Sequence, residues 1–193
     1  MLNPYSFKPI GRGKQAKIPT LIYTFKCNYN IAYIVHIEEY DNNIFVLKYH
    51  QKNHRNSKKK YSLVNSEGFL IMHKTTGYQN AKRVFDTVTQ IAIEIYKDNS
   101  KASFAFMGAP KLDEANEKLN SQNINEDGSV ANTQRFLIYK RYVMRLFSPD
   151  QFDHLDMATS SSYMLRSKNN SDLTPKLVQQ FFIDYIEENI NDD

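Results

Sequence analysis

Apolar and polar residues alternate with a period of two in three early stretches of the chain. Leu21–Cys27 sets Leu21, Tyr23, Phe25 and Cys27 on one side. Ile31–Glu39 alternates Tyr33, Val35 and Ile37 with Ile34, His36 and Glu38, and Ile44–His50 alternates Phe45, Leu47 and Tyr49 with Val46 and Lys48. This is the pattern of strands covered on one face. Tyr40-Asp41-Asn42-Asn43 suits a tight antiparallel connection between the last two. Tyr61–Asn65 and Phe69–His73 read as two shorter strands around Ser66-Glu67-Gly68, or the first as only an extended lead-in, before Thr75-Thr76-Gly77 breaks the pattern.

The period then becomes helical. Val84, Val88, Ile91 and Ile95, flanked by Ala81, Phe85 and Ala92, form one apolar stripe and predict a helix over Lys82–Lys97. Ala102–Met107 reads as a short buried strand ended by Gly108, a residue that lets a backbone or ligand approach closely. A second amphipathic helix runs from about Asn132 to Phe147, with Phe136, Tyr139, Val143, Leu146 and Phe147 on its apolar side. Arg141 and Arg145 lie opposite, and Arg135 sits at the border. Ser148-Pro149 stops this helix, and strands at Phe152–Met157 and Ser162–Arg166 close the sheet. Thr174 and Pro175 have the chemistry of an N-cap and first helical position, opening a helix whose apolar face is Val178, Phe181, Phe182, Tyr185 and Ile186.

These elements predict an α+β fold: a mainly antiparallel, strongly twisted sheet packed on one face by two amphipathic helices, with an additional C-terminal helix. Residues 1–19, rich in Pro, Gly and Lys, read as an irregular basic arm. Residues 20–168 read as a single α+β domain with a mobile polar loop at 112–131, and residues 169–193 as the C-terminal helix.

Composition narrows the function classes. A chain of 193 residues, 41% apolar and 24% charged, is ample for one core. Its one cysteine, Cys27, excludes an internal disulfide and a cysteine-based zinc site. No secretory signal or membrane-length apolar run is present, so the expectation is a soluble cytoplasmic protein with no membrane partner.

The formal charge of +4 is mild, and its distribution matters more. Lys52-Asn53-His54-Arg55-Asn56-Ser57-Lys58-Lys59-Lys60 carries five cations with no acidic residue among them. Such a segment follows a phosphate backbone without needing sequence recognition, although it also suits a solvated loop that protects a strand edge. The candidate binding residues are therefore Lys52, Arg55, Lys58, Lys59 and Lys60, joined by Arg135, Tyr139, Arg141 and Arg145 on the second helix.

Other local signals are weaker. Gly11-Arg12-Gly13-Lys14 lacks the strand, spacing and following Ser/Thr of a phosphate loop. His50 and His54 share an H-x3-H spacing with no third ligand nearby in sequence, so no metal is expected. Ser160-Ser161-Ser162 is explained by a small polar turn. No cofactor motif is present.

Thr87-Val88, Phe106-Met107-Gly108, Thr133-Gln134-Arg135-Phe136 with Tyr139, and Tyr163-Met164-Leu165-Arg166-Ser167-Lys168 follow one another in an order that resembles a family of uncharacterised Bacteroidetes proteins, a domain of unknown function. The resemblance spans Leu21 to Lys168; the loop at 112–131 and the added C-terminal helix depart from it. It implies the fold and draws attention to Arg135 and Tyr139, and carries no established activity.

Three functions compete. The first is a non-enzymatic binding module for nucleic acid or another polyanion. The second is a protein-interaction component of a defence, toxin–antitoxin or mobile-element system, with a protein partner or a second copy engaged through the C-terminal helix. The third is an enzyme acting on a phosphoryl substrate through a dispersed site. It ranks last, because paired carboxylates, a metal cluster and a nucleophile motif are all missing from the sequence.

Overall fold

The computed structural model describes residues 1–15, 17–61, 63, 67–108 and 130–190, with the side chains of 67–76 and 189–190 excepted. The chain is α+β, as expected. Among the described residues, seven strands form a mostly antiparallel sheet accompanied by three helices, the last of them C-terminal. Packing divides the chain into two compact units, Met1–Asp41 with Phe45–Asn99, and Asn42–Ile44 with Ser100–Asp193.

The first unit contains β1 (Phe7–Gln15), β2 (Ile18–Lys26), β3 (Ala32–Tyr40), β4 (Ile44–Gln51) and α1 (Glu67–Asp98). β2 pairs antiparallel with β3, with Tyr23 opposite Val35 and Phe25 opposite Tyr33. The odd-numbered face of these strands is apolar, and Tyr33, Val35 and Ile37 are fully buried on it. On α1 the buried residues include Val84, Val88, Ile91 and Ile95, the stripe read from the sequence.

Tyr5 fastens the N-terminal segment to this core. Its ring stacks on Phe25, 6.1 Å between centroids, and Phe25 stacks on Tyr33 at 5.0 Å. The Tyr5 hydroxyl donates to Asn80 at 2.8 Å, and the Arg83 guanidinium lies 3.9 Å from the Tyr5 ring centre. The backbone amides of Asn3 and Tyr5 donate to Asp86 and Thr87 of α1.

Two expectations change here. Most of the segment read as an irregular arm is ordered: Asn3–Tyr5 is bonded to α1, and Phe7–Gln15 forms β1 against β2. Tertiary pairing overrides its weak local propensity. A bulge shifts the register between Pro9 and Gly11, and Gly11 takes a φ of 152°, a conformation that other residues rarely adopt. Also, Phe69–His73 belongs to α1 instead of a strand, because a short apolar run has no period that separates strand from helix.

The second unit contains β5 (Ser103–Met107), α2 (Gln134–Leu146), β6 (Phe152–Met157), β7 (Ser162–Ser167) and α3 (Pro175–Ile190). β7 is central, pairing antiparallel with both β5 and β6. Tyr163, Met164 and Leu165 are buried along it. Thr174 caps α3 by accepting from the Leu177 amide at 3.3 Å, and Val178, Phe182, Tyr185 and Ile186 are buried. The expected loop at 112–131 lies almost wholly outside the described residues, which resume at Val130.

Thr133 and Ser161 lock the start of α2 to the end of β5. Thr133 Oγ1 accepts from the Phe136 amide as an N-cap and donates to the Gly108 carbonyl at 2.6 Å. Ser161 Oγ accepts from the Thr133 amide at 2.9 Å, and Gly108 N–H donates to the Ser161 carbonyl at 2.9 Å. The serine triplet is thus a structural turn. A Cβ at Gly108 would lie 2.5 Å from the Phe136 amide nitrogen and from Thr133 Oγ1. Gly108→Ala is expected to lower unfolding free energy by about 1–3 kcal/mol, measured as a lower urea midpoint at unchanged slope.

Candidate functional site: a basic cleft above a buried polar cluster

The turn between β2 and β3 and the segment after β4 meet at one end of the first unit. Asn30 holds a left-handed φ of 66°, and its amide donates to the Cys27 carbonyl at 3.0 Å, so a tight turn presents its side chain. After β4 the chain coils through successive turns. Arg55 N–H donates to the Lys52 carbonyl, Ser57 to His54, and Lys60 to Ser57. A cleft of about 610 Å³ lies between the two segments, lined by Asn30, Ile31, Ala32, Lys52, Asn53, Arg55 and Asn56.

The cleft's chemistry is two cations and three carboxamides. Lys52 supplies a point charge, and the Arg55 guanidinium is a planar fork suited to two oxygens of one anion. The asparagine amides both donate and accept. The lining side chains include no histidine or carboxylate; what they offer a ligand is cationic charge and amide hydrogen bonds.

The even-numbered face of β3 and β4 lies beneath the rest of the basic segment. It carries His36, Glu38, Lys48 and His50, of which His36, Glu38 and His50 are buried. Glu38 accepts from Lys48 Nζ at 2.8 Å and from the Tyr40 hydroxyl at 3.3 Å. The His36 and His50 rings are 5.3 Å apart between centroids, and Tyr61 lies edge-on to His50 at 5.8 Å. Gln15 Nε2 is 3.1 Å from His36 Nε2, and the Tyr61 hydroxyl 3.5 Å from His36 Nδ1. His50 Nδ1 donates to the Gln51 carbonyl at 2.9 Å, which fixes its tautomer. Lys60 sits over the Tyr61 ring, 5.1 Å from its centre.

Burial governs the titration of this cluster. Desolvation, reinforced by the charges of His50, Lys60 and Lys48, holds His36 down at about 4. Burial likewise lowers His50 and Lys60 and raises the Tyr61 phenol. Both imidazoles are therefore neutral at pH 7. Among the described residues, no group of three or more His, Cys, Asp or Glu side chains is placed to hold a metal.

The structure distributes the expected binding residues unevenly. Lys52 and Arg55 line the cleft, Lys58 and Lys59 are exposed on the same segment, and Lys60 is half-buried over Tyr61. The other four belong to the second unit. Arg135 is 7% exposed, part of that unit's interior and not an accessible cation. Tyr139 is half-buried with its ring edge-on to Phe106 at 5.6 Å. Arg141 and Arg145 are exposed on α2. Asn30 and the cluster of His36, Glu38, Lys48 and Tyr61 were not among the expected residues. The available signal was the run of polar residues on one face of two neighbouring strands, which reads equally well as a solvated face.

Comparison with family models, curated proteins and solved structures finds no match to this chain, so the functional reading rests on its own residues. Among the described residues, no helix is long and apolar enough to cross a membrane.

Two outcomes test the cluster. The unfolded chain takes up a proton on His36 before the folded chain does. Stability is therefore lost as pH falls below the ordinary 6.5, and that loss ends below about 4. One such group contributes at most ~1.4 kcal/mol per pH unit. Urea unfolding of His36→Gln should decline less steeply than wild type across this window, and parallel curves would refute a buried neutral imidazole. Lys48→Met should cost about 3–5 kcal/mol by stranding the Glu38 carboxylate, whereas the pair Lys48→Met with Glu38→Leu should cost much less.

Proposed function

We propose that this chain is a non-enzymatic binding module for nucleic acid or another polyanion. The observation that carries the reading is the cleft in which Lys52 and Arg55 converge with Asn30, Asn53 and Asn56. Lys58 and Lys59, exposed further along the same segment, extend the positive surface beyond the cleft. Phosphate oxygens satisfy the two cations, and the asparagine amides suit the sugar and base edges of an exposed strand. Affinity of this kind comes from release of counterions, so it is steeply salt-dependent and tolerant of sequence.

The buried cluster serves this reading as an anchor. Tyr61 and Lys60 hold the far end of the basic segment against the sheet, so the cations are presented from a constrained backbone. Preorganisation of this kind lowers the ordering cost of binding.

The test is fluorescence anisotropy with a labelled single-stranded oligonucleotide, and with heparin as competitor, over a series of salt concentrations. Wild type should show a linear loss of log affinity with log salt. Lys52→Ser with Arg55→Ser should weaken binding and reduce that slope by about 1.4, roughly 0.7 for each phosphate contact removed from a single strand. Absence of binding at low salt, or an unchanged slope in the double variant, would overturn the reading.

A further inference from the structure

The outward face of α2 is apolar as well as basic. Leu137, Ile138 and Met144 are exposed there, Ile138 by 50% and Met144 by 55%, and Arg141 and Arg145 are exposed beside them. At 100° per residue these five positions fall on one contiguous side, opposite the buried Phe136 and the half-buried Tyr139 and Val143. The helix contains no acidic residue at all. Large apolar side chains grouped with arginine are the composition of an interface centre, not of a solvated helix face.

The same unit carries a face of opposite character. α3 exposes Leu177 and Ile183 on its outer side, together with Asp184 and Glu188. Lys176 in its first turn is its one cation. Val178, Phe182, Tyr185 and Ile186 are already buried in the unit, and Phe181 is half-buried.

From this complementarity we propose that two copies of the chain associate, with the outer face of α2 from each copy seated on the outer face of α3 from the other. Arg141 and Arg145 meet Asp184 and Glu188, while Ile138 and Met144 cover Ile183 and Leu177. A twofold axis makes the contact twice and closes the assembly, so it ends at a dimer. The charges set the pairing: α2 against α2 would juxtapose arginines, and α3 against α3 would juxtapose carboxylates.

Sedimentation velocity on the full chain tests the proposal by mixing. Wild type should sediment as a dimer that dissociates on dilution. Arg141→Glu with Arg145→Glu makes both faces acidic, and Asp184→Arg with Glu188→Arg makes both basic, so each variant alone should be monomeric. An equimolar mixture should restore the dimer, because every contact again joins opposite charges. Ile138→Ser with Met144→Ser should weaken the dimer at least about tenfold through loss of apolar contact. All these side chains are exposed, and far-UV circular dichroism checks that each variant keeps the fold. Wild type that stays monomeric at about 100 μM, well above the dissociation constant of a specific interface, overturns the proposal. So does a dimer that persists in both charge variants, or a mixture of folded variants that remains monomeric.

Discussion

A sheet has two faces, and in the first unit one of them is mainly apolar. The other carries a carboxylate, an ammonium and two imidazoles, and burial of such groups is unfavourable unless each finds a partner. Glu38 and Lys48 answer that constraint by pairing at 2.8 Å, and His36 and His50 answer it by staying neutral. The arrangement holds only while Tyr61 and Lys60 remain over it. The basic segment is therefore tied to the sheet at its far end by the need to keep water away from that cluster. Its near end is set by β4 and the turns that follow. Between those points lie Lys52 and Arg55, the cations of the cleft.

The second unit solves a different problem. Its helix α2 must start close to the end of β5, and the space there admits no side chain at Gly108. Thr133 and Ser161 use their hydroxyls both to donate and to accept, which satisfies backbone groups that a helix start would otherwise leave unpaired. The inner face of α2 is thereby committed to packing, and Arg135 is drawn in with it.

Much of the fold was legible because it depends on periodicity. The strands at Leu21–Cys27, Ile31–Glu39 and Ile44–His50 became β2, β3 and β4 with shifts of a few residues, and the stripe from Val84 to Ile95 became the buried side of α1. The chain was misread where local composition and tertiary context disagree. Pro9, Gly11 and Gly13 are poor strand residues, yet β2 offers them a ladder. Phe69–Met72 is apolar without a period, and only continuity with the rest of α1 makes it helical. The site divided the same way. A charge run such as Lys52–Lys60 is visible in one dimension. The cleft also needs Asn30 from a turn more than twenty residues earlier, and the buried cluster needs Gln15 from the end of β1 and Tyr61 from beyond the basic segment.

The features that hid β1 from a reading of composition give it a further property. Among the described residues it is the edge strand beside β2, and an edge presents unpaired amides and carbonyls to any other extended chain. Pro9 has no amide to offer, the bulge puts the residues on either side of Ile10 out of step, and Lys8, Arg12 and Lys14 place exposed positive charge along the strand. A second strand approaching this edge would meet a broken ladder and repulsion from its own copies. Crowded in a cell or concentrated in a tube, the protein is protected on this side against growing into a fibril.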